Sequence, residues 1–439
     1  MKFSSFLRPI LAGILYIPNA ITQSSIEDIH DPVKRAGIAL ASLEQWYDGE
    51  SGLWETTGWW NGANIITTIG NFAKANPDNE KLQTIAYTIF ATAFHHAPTK
   101  NPNPDAEKPK NQTSARQTAG TGYHKYIDPT TQVLHTVYPP NYFISSSHIT
   151  NLTAFASQLN SSDSFVQDPY AFLNGYYDDD LWWALAWITA YDVTQHEPYL
   201  TLAQGIFRAV SKSWPTKCGN GGIYWNMTSG YVNAIANELF FSTAAHLANR
   251  ARSKRRYTSW AITSLEWFEQ SGMWNDNSTI NDGLDENCQN NNGVVWSYNQ
   301  GVILGGLVEL SRAAISPQEL GSPYVDSLYL ETAVAIARAA LEKLSDDNGI
   351  IHDVCEKDGC GADGSQFKGI FMRNLAELHK AAPDEGFDMV IRKNAESIWR
   401  NNREDGVFSV NWAGPFVRPA NASTHSSAMD CLVAAVAVS

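Results

Sequence analysis

The chain has 439 residues, of which 44% are hydrophobic and 17% are charged, and it contains 15 Trp, 18 Tyr and 18 Phe. This length suffices to bury one large core or two smaller ones. The formal net charge of −14 argues against nucleic acid and other polyanions as partners. Aromatic residues beside Gly, Asn and Asp in loops suit flat, hydroxyl-rich ligands, although aromatics also build ordinary cores.

Residues 1–22 are predicted to be a secretory signal peptide. A lysine is followed by an apolar run and then by small and polar residues, which is typical of a leader cleaved between Ala20 and Gln23. No later stretch is long and apolar enough to span a membrane, and the C-terminus lacks a lipid-anchor signal. We therefore expect a secreted, extracellular monomer without a membrane anchor.

Six N-x-S/T sequons and five cysteines agree with an oxidising compartment outside the cell. Cys355 and Cys360 can close a small loop, and Cys218 and Cys288 lie in Gly/Asn-rich loops where they can pair with each other. Cys431 lies in an apolar helical pattern, which favours a buried thiol. The cysteine spacings do not match a zinc site. The predicted glycosylation sites are Asn111, Asn151, Asn160, Asn226, Asn277 and Asn421.

Apolar and more polar helices alternate along the chain. Gly-rich or aromatic loops open six apolar helices, from Ser51, Asn174, Gly221, Asn292, Gly361 and Ala422. The more charged helices are predicted around residues 32–48, 79–97, 196–214, 255–271, 324–345 and 385–401. This alternation predicts a ring of six helical hairpins, an all-α (α/α)6 barrel, in which the apolar helices line the inside.

No linker divides the repeat, so residues 23–439 are expected to form one domain. Residues 98–173 interrupt it with a segment rich in Pro, Asn, Ser and Thr, which we expect to be a long insertion over one mouth of the ring. Each aromatic loop leads into the N-terminus of an inner helix, so the loops should converge on one face. Helix N-termini carry partial positive charge, which stabilises carboxylates placed at that face.

Asp178, Asp179 and Asp180 lie at such a position, in the stretch "NGYYDDDLWW" at the second inner helix. One or two of them are accounted for by helix capping. The functional alternative is a carboxylate pair for glycoside hydrolysis, with one nucleophile and one general acid/base. Mutual repulsion and the flanking aromatic rings would raise the pKa of one carboxyl, as an acid catalyst requires.

The motif "YYDDDLWWALAW" resembles the paired-aspartate motif of glycoside hydrolase family 76, the endo-α-1,6-mannanases, which include secreted fungal members. Further similar stretches are "WWNGAN" from Trp59, "GGIYWN" from Gly221, "VNAIANELFF" from Val232 and "WSYNQGVILGGL" from Trp296. They follow the order of the family from about residue 32 to the C-terminus. The resemblance implies an (α/α)6 barrel, in agreement with the helical repeat.

The resemblance also implies a retaining mechanism in which Asp178 is the nucleophile and Asp179 the general acid/base. Asp179 with Asp180 is the competing pair; otherwise Asp180 supports its neighbours or caps the helix. The implied reaction is endo-hydrolysis of α-1,6-mannosidic bonds in mannan or manno-oligosaccharides, with no cofactor. The alternatives are a cell-wall transglycosylase of the same family, acting on mannan or glycan anchors, and a non-catalytic glycan-binding wall protein.

Further candidates for substrate binding lie in the loops that open the inner helices. For each of them an ordinary structural role is the alternative: a core tryptophan, a helix cap, or a buried amide network between helices. These candidates are Trp60, Asn61, Tyr177, Asp180, Trp225, Asn233, Asp282, Tyr298 and Gln300.

The acidic loop from Trp274 to Gly293 contains the candidate Asp282 and invites a calcium interpretation. Aligning Gly283 with the glycine of an EF-hand puts Ile280 at a ligand position, where it has no oxygen to offer, so the motif fails. No metal site is predicted. Phosphate-binding and dinucleotide-binding motifs are also missing from the sequence.

Overall fold

The computed structural model describes residues 28–104, 106–107, 122–140, 142–143, 165–313, 325–357 and 359–439. The predicted signal peptide lies outside these ranges, and the division into a leader and one domain with an insertion stays a prediction. The longer helices are α1 (Pro32–Leu43), α2 (Trp59–Ala75), α3 (Glu80–His96), α4 (Tyr177–Thr194), α5 (Glu197–Val210), α6 (Ala234–Ala248), α7 (Lys254–Ser271), α8 (Ser297–Ala313), α9 (Val325–Leu344), α10 (Phe367–Ala381), α11 (Glu385–Asn401) and α12 (Ala422–Ala437).

Short antiparallel hairpins join some of these helices. The strands are β1 (Tyr47–Asp48), β2 (Leu53–Trp54), β3 (His124–Ile127), β4 (Leu134–Val137), β5 (Arg403–Glu404) and β6 (Val407–Phe408). They pair as β1–β2, β3–β4 and β5–β6, each as a separate two-stranded sheet. In the hairpin β3–β4, His124 lies opposite Val137 and Ile127 opposite Leu134.

The even-numbered helices form the inner ring of the molecule. Each packs against the next, and α12 returns to α2 and closes the ring. The inner helices are apolar on most sides and almost wholly buried, whereas the outer helices alternate buried and exposed positions, as amphipathic helices do. The predicted (α/α)6 barrel is confirmed. The outer helices agree with the predicted ranges within a few residues, except that α1 ends earlier, at Leu43.

Small residues allow the inner helices to approach closely. A Cβ atom added to Gly301 of α8 would lie 2.6 Å from the Cα of Phe371 in α10. A Cβ added to Gly369 of α10 would lie 2.5 Å from the carbonyl oxygen of Ser427 in α12. Real Cβ contacts are not this short, so a larger side chain at either position would push two inner helices apart.

Ion pairs join the C-terminal ends of the inner helices. Arg250, just after α6, contacts Asp192 of α4 at 2.6 Å and Glu309 of α8 at 2.8 Å. Asp192 also contacts Lys74 of α2 at 3.2 Å. These four inner helices are therefore parallel, and their N-termini meet at the opposite mouth of the barrel. Within the described ranges, no helix is both long and apolar enough to cross a membrane.

Candidate active site

The three consecutive aspartates lie in the first turn of α4, and all three are buried. The helix begins at Tyr177 because Tyr176 has an extended backbone. Successive residues of a helix are rotated by about 100°, so the three side chains meet different surroundings. The N-terminus of the helix favours the ionised form of each carboxyl, while burial opposes it.

One ammonium group joins the first two aspartates. Lys125 Nζ, from strand β3, donates to Asp178 Oδ2 at 3.1 Å and also to Asp179 Oδ1. Trp225 Nε1 donates to the same Asp178 Oδ2 at 3.1 Å. Since two hydrogen bonds to one nitrogen span the gap, these carboxylate oxygens lie within about 6 Å of each other. This upper bound agrees with the short separation of the two carboxyls in a retaining glycosidase and lies below the separation in an inverting one.

The two carboxylates differ in how many donors they receive. Asp179 Oδ2 accepts from the Tyr123 hydroxyl at 2.6 Å and from Asn174 Nδ2 at 2.8 Å, in addition to the lysine contact at its other oxygen. Asp178 Oδ1 is buried and has no hydrogen-bond partner among the described residues. Asp179 is thus held at both oxygens, whereas Asp178 keeps one oxygen free.

Burial and charge shift the titration of this cluster. Burial raises the pKa of Asp178 to about 6, with the charge of Asp179 adding to the rise and Lys125 and the Trp225 hydrogen bond opposing it. Burial by itself would lower the pKa of Lys125. The negative charges of Asp178, Asp179 and Asp363 have the larger effect, so the lysine pKa is raised. Burial also raises the pKa of Asp363. The lysine is therefore charged at neutral pH, and it compensates a dense group of buried carboxyls.

Asp180 belongs to a separate contact. Its Oδ1 accepts from the backbone N–H of Asn174 at 3.0 Å, and its carboxyl lies against that of Glu107, which accepts from the backbone N–H of Gly175 at 3.1 Å. Burial first, and then the charge and hydrogen bond of Glu107, raise the pKa of Asp180 well above its usual range. The proximity of the Glu107 carboxyl thus favours the protonated form of Asp180, whereas Lys125 contacts Asp178 and Asp179.

Beside Trp225, which donates to Asp178, lies a small cavity of about 10 Å³. Its barrel side contains four of the predicted binding residues, and its outer side is formed by the hairpin β3–β4. Tyr298 stacks on Phe367 with ring centroids 3.8 Å apart, which fixes the orientation of its hydroxyl. The lining residues are Trp225, Asn233, Asp282, Trp296 and Tyr298 from the barrel, and Ile127, Gln132 and Leu134 from the hairpin.

Of the two predicted binding residues on α2, Trp60 lies near the aspartates and Asn61 does not. The Trp60 ring centroid lies 5.8 Å from Lys125 Nζ, and its Nε1 donates to Asp363 Oδ1 at 2.6 Å. Asn61 is fully buried against Ala362 and Gln366, so it supports the loop before α10. Trp60 thus forms part of the floor beneath the lysine.

Two predicted binding residues face elsewhere. Gln300 Oε1 accepts from the N–H of Ile280, while its Nε2 donates to the carbonyls of Ile280 and Trp296. This amide makes its hydrogen bonds within the protein, which disfavours a contact with a sugar hydroxyl, and its role in substrate binding stays a prediction. Tyr177 bonds Ser213 near Glu107. The ring near the carboxylate pair is that of Tyr176, which the extended backbone before the helix turns toward Lys125 at 5.3 Å.

Lys125, Tyr123 and Asp363 were not identified from the sequence. The first two lie between α3 and α4, in the stretch "YHKYIDPTTQVLHTV", where buried and exposed residues alternate from Tyr123 to Tyr126 before an Asp-Pro turn. This period of two is typical of a β-strand, so the sequence alone could have predicted a hairpin here. Nothing local indicates that Lys125 contacts Asp178, because 52 residues intervene and the pairing depends on how the insertion folds back.

Both predicted disulfides form, Cys218–Cys288 and Cys355–Cys360, and Cys431 is a buried free thiol. The first bridge joins the loop before α6 to the loop that carries Asp282. In the part of the chain that the structure describes, no group of three or more His, Cys, Asp or Glu residues is arranged to hold a metal ion.

The sequons differ in accessibility. Asn277 is exposed, and Asn421 caps α12 by accepting from the N–H of Thr424 at 2.9 Å. Asn226 is 5% exposed, and its Oδ1 accepts from the backbone N–H of Thr228 at 2.9 Å. The burial of Asn226 disfavours a glycan there. The predicted sites Asn111, Asn151 and Asn160 lie outside the described residues.

Two curated fungal proteins are similar to part of this chain. Mannan endo-1,6-alpha-mannosidase DFG5 of Saccharomyces cerevisiae is 26% identical over 281 residues, which is 59% of each protein. Mannan endo-1,6-alpha-mannosidase DCW1 of Candida albicans is 29% identical over 214 residues, 45% of this chain and 46% of that protein. The chain matches about half the length of these relatives.

Solved structures share the fold over nearly the whole chain. A complex of an inactive variant of the α-1,6-mannanase GH76A of Salegentibacter sp. HEL1_6 with α-1,6-mannotetrose has a TM-score of 0.64 at 16% identity, covering 93% of this chain and 100% of that one. Dfg5 of Chaetomium thermophilum with glucosamine has a TM-score of 0.65 at 18% identity, covering 95% and 90%. Residues 133–438 match the sequence profile described as Glycosyl hydrolase family 76, and the chain belongs to that family.

Proposed function

We propose that this protein is a secreted, retaining, endo-acting glycoside hydrolase that cleaves α-1,6-mannosidic bonds in mannan backbones. The observation that carries the proposal is the adjacent pair Asp178 and Asp179, whose facing oxygens contact one ammonium at the mouth where the inner helices begin. The names of the fungal relatives and the mannotetrose bound to a bacterial relative support the choice of substrate. That bacterial protein was made inactive by replacing two adjacent aspartates.

We assign the nucleophile to Asp178. Its Oδ2 is held by Trp225 Nε1, while its buried Oδ1 receives no hydrogen bond from the described residues. An oxygen without a donor keeps its lone pairs for attack on the anomeric carbon. In a retaining reaction this attack forms a covalent mannosyl–enzyme intermediate, and the leaving oxygen takes a proton from the acid/base.

We assign the acid/base to Asp179. It would protonate the leaving glycosidic oxygen in the first step and remove a proton from water in the second. Asn174 holds its Oδ2 at 2.8 Å, and Oδ1, which contacts Lys125, is the oxygen that exchanges the proton. The oxocarbenium-like transition state would lie between the two carboxylates, beside Trp225 and the cavity that contains Tyr298 and Asp282.

Linear α-1,6-mannan is the substrate for the test, with products followed by size and by the anomer first released. Asp178→Asn and Asp179→Asn should each lose about 10²- to 10⁴-fold in rate, with short α-anomeric products from the wild type. Asp180→Asn makes the same chemical change one residue further along and should lose less than tenfold, because Asp180 contacts Glu107 instead of Lys125.

The outcomes separate the alternatives. Loss of activity in Asp180→Asn alone would mean that the wrong pair was assigned, and release of β-anomers would exclude retention. Products longer than the substrate would favour the transglycosylase. Binding of mannan without cleavage by any form, the wild type included, would leave the glycan-binding protein.

A further inference from the structure

The hairpin β3–β4 inserts one charged side chain into the catalytic mouth. On β3, His124 and Tyr126 face outward and are exposed, while Lys125 between them faces inward and its side chain is 1% exposed. The backbone N–H of Lys125 donates to the Tyr176 hydroxyl at 2.8 Å. On the other side of the hairpin, the Tyr138 hydroxyl accepts from the N–H of Trp59, the first residue of α2, at 2.9 Å. The hairpin is thus anchored at two inner-helix entrances.

With the hairpin in this position a saccharide cannot reach the aspartate pair. Asp178 is 4% exposed and Asp179 is fully buried. The three residues Lys125, Ile127 and Leu134 of the hairpin cover the aspartates and the adjoining cavity. A polymeric substrate needs an open path across both carboxylates, and the hairpin occupies that path.

The contacts of Asp179 are also those of an inactive state. Lys125 and Tyr123 both donate to the carboxyl that would transfer the proton, Lys125 at Oδ1 and Tyr123 at Oδ2. A glycosidic oxygen can reach Asp179 Oδ1 only after the ammonium has left it. The ammonium moreover lies where positive charge would develop on the sugar in the transition state. The lysine and a reacting mannosyl unit therefore exclude each other.

We propose that the hairpin β3–β4 is an autoinhibitory plug whose Lys125 takes the place of the reacting sugar between Asp178 and Asp179, and that it withdraws before substrate binds. This inference rests on the proposed function, since it names the regulation of the same site. The family profile matches residues 133–438, which include β4 of the hairpin and leave out Lys125.

The contact is suited to reversible closure. A buried ion pair costs desolvation of both partners, and its net contribution is small when the geometry is good. If the open form is about one molecule in a hundred, the apparent affinity for substrate falls about 100-fold below that of a permanently open site. Removing the ammonium shifts the population toward the open form, so it should strengthen substrate binding and raise the rate.

The test compares the wild type with Lys125→Ala, using α-1,6-mannotetraose. His124→Ala is the matched control, since it changes the neighbouring, outward-facing basic position of the same strand. We expect kcat/KM of Lys125→Ala to rise at least tenfold and that of His124→Ala to stay within twofold of the wild type. Lys125→Gln, which keeps a donor without the charge, should also exceed the wild type. Melting temperatures verify that each variant is folded.

Calorimetric titration with the same tetrasaccharide provides a readout that does not need turnover. Lys125→Ala should bind at least tenfold more tightly than the wild type. Tighter binding without cleavage in any form would retain the plug and reject the hydrolase. A folded Lys125→Ala that binds no better than the wild type would overturn the plug. A loss of activity in both Lys125 variants would also overturn the plug, because the lysine would then be needed for the reaction. In both cases, cleavage of mannan by the wild type would still support the proposed hydrolase.

Discussion

The two disulfides close loops of very different length, and this difference predicts different losses of stability. Cys218 and Cys288 are 70 residues apart, whereas Cys355 and Cys360 are 5 apart. The entropy lost by closing a loop in the unfolded chain grows with the logarithm of its length. Replacing both cysteines by alanine should therefore cost about 4 kcal/mol for the long bridge and about 2 kcal/mol for the short one.

The assay is differential scanning calorimetry of the two double variants beside the wild type. With an unfolding entropy of about 2 cal/mol/K per residue, these losses correspond to decreases in Tm of about 5 °C and about 2 °C. The long bridge also restrains the loop that carries Asp282 beside the cavity, so its removal should raise KM for mannan. In the presence of reductant, the wild type should lose the stability contributed by both bridges.

An equal decrease in Tm for the two variants would refute the entropic reasoning. It would mean that the unfolded chain is already compact around the long loop, so that the bridge removes little freedom. A larger decrease for the short bridge would instead place the stabilisation in the folded state. Cys431→Ala is the control for loss of a buried sulfur, because this thiol is free.

Three further changes test the remaining side-chain assignments. Gln300→Ala leaves backbone groups unpaired in the interior and should cost about 2–3 kcal/mol in unfolding free energy, whereas Gln289→Ala, at an exposed site, should cost little. Trp225→Phe removes a donor that lowers the pKa of Asp178, whose value is about 6, so the acidic limb of the pH–rate profile should move to higher pH. Burial raises the pKa of Glu44 to about 7, so the folded state holds this proton more tightly than the unfolded state does. The protein should therefore lose stability as pH rises from about 4 to about 7. Glu44→Gln should flatten this pH dependence of the melting temperature, and an unchanged slope would contradict the assignment.

The helical repeat was predictable because burial demands a particular composition of each layer. Helices that are surrounded on all sides must be apolar on all sides, so α2 and α12 differ in sequence from the amphipathic helices around them. The same logic placed the aspartates at an inner-helix entrance. Asp178 is therefore recognisable from the sequence as a candidate for chemistry.

The roles of individual side chains were less predictable, because they depend on rotation about the helix and on distant contacts. Gln300 follows Tyr298 by two residues, about 200° around the helix, and it faces Ile280 while Tyr298 lines the cavity. Tyr176 lies beside Lys125, where Tyr177 was expected to meet the substrate, because the helix begins between the two tyrosines. A one-residue error in the helix start is enough to reverse such assignments.

The sequence by itself determined the ring of hairpins and the position of three aspartates at one of its entrances, since both follow from local periodicity and helix ends. Only the tertiary structure decided which partner each of the three aspartates contacts. Asp178 and Asp179 face Lys125 of the hairpin, and Asp180 faces Glu107. Both partners come from the segment between α3 and α4, and their long-range contacts with α4 leave no periodic signal in the chain.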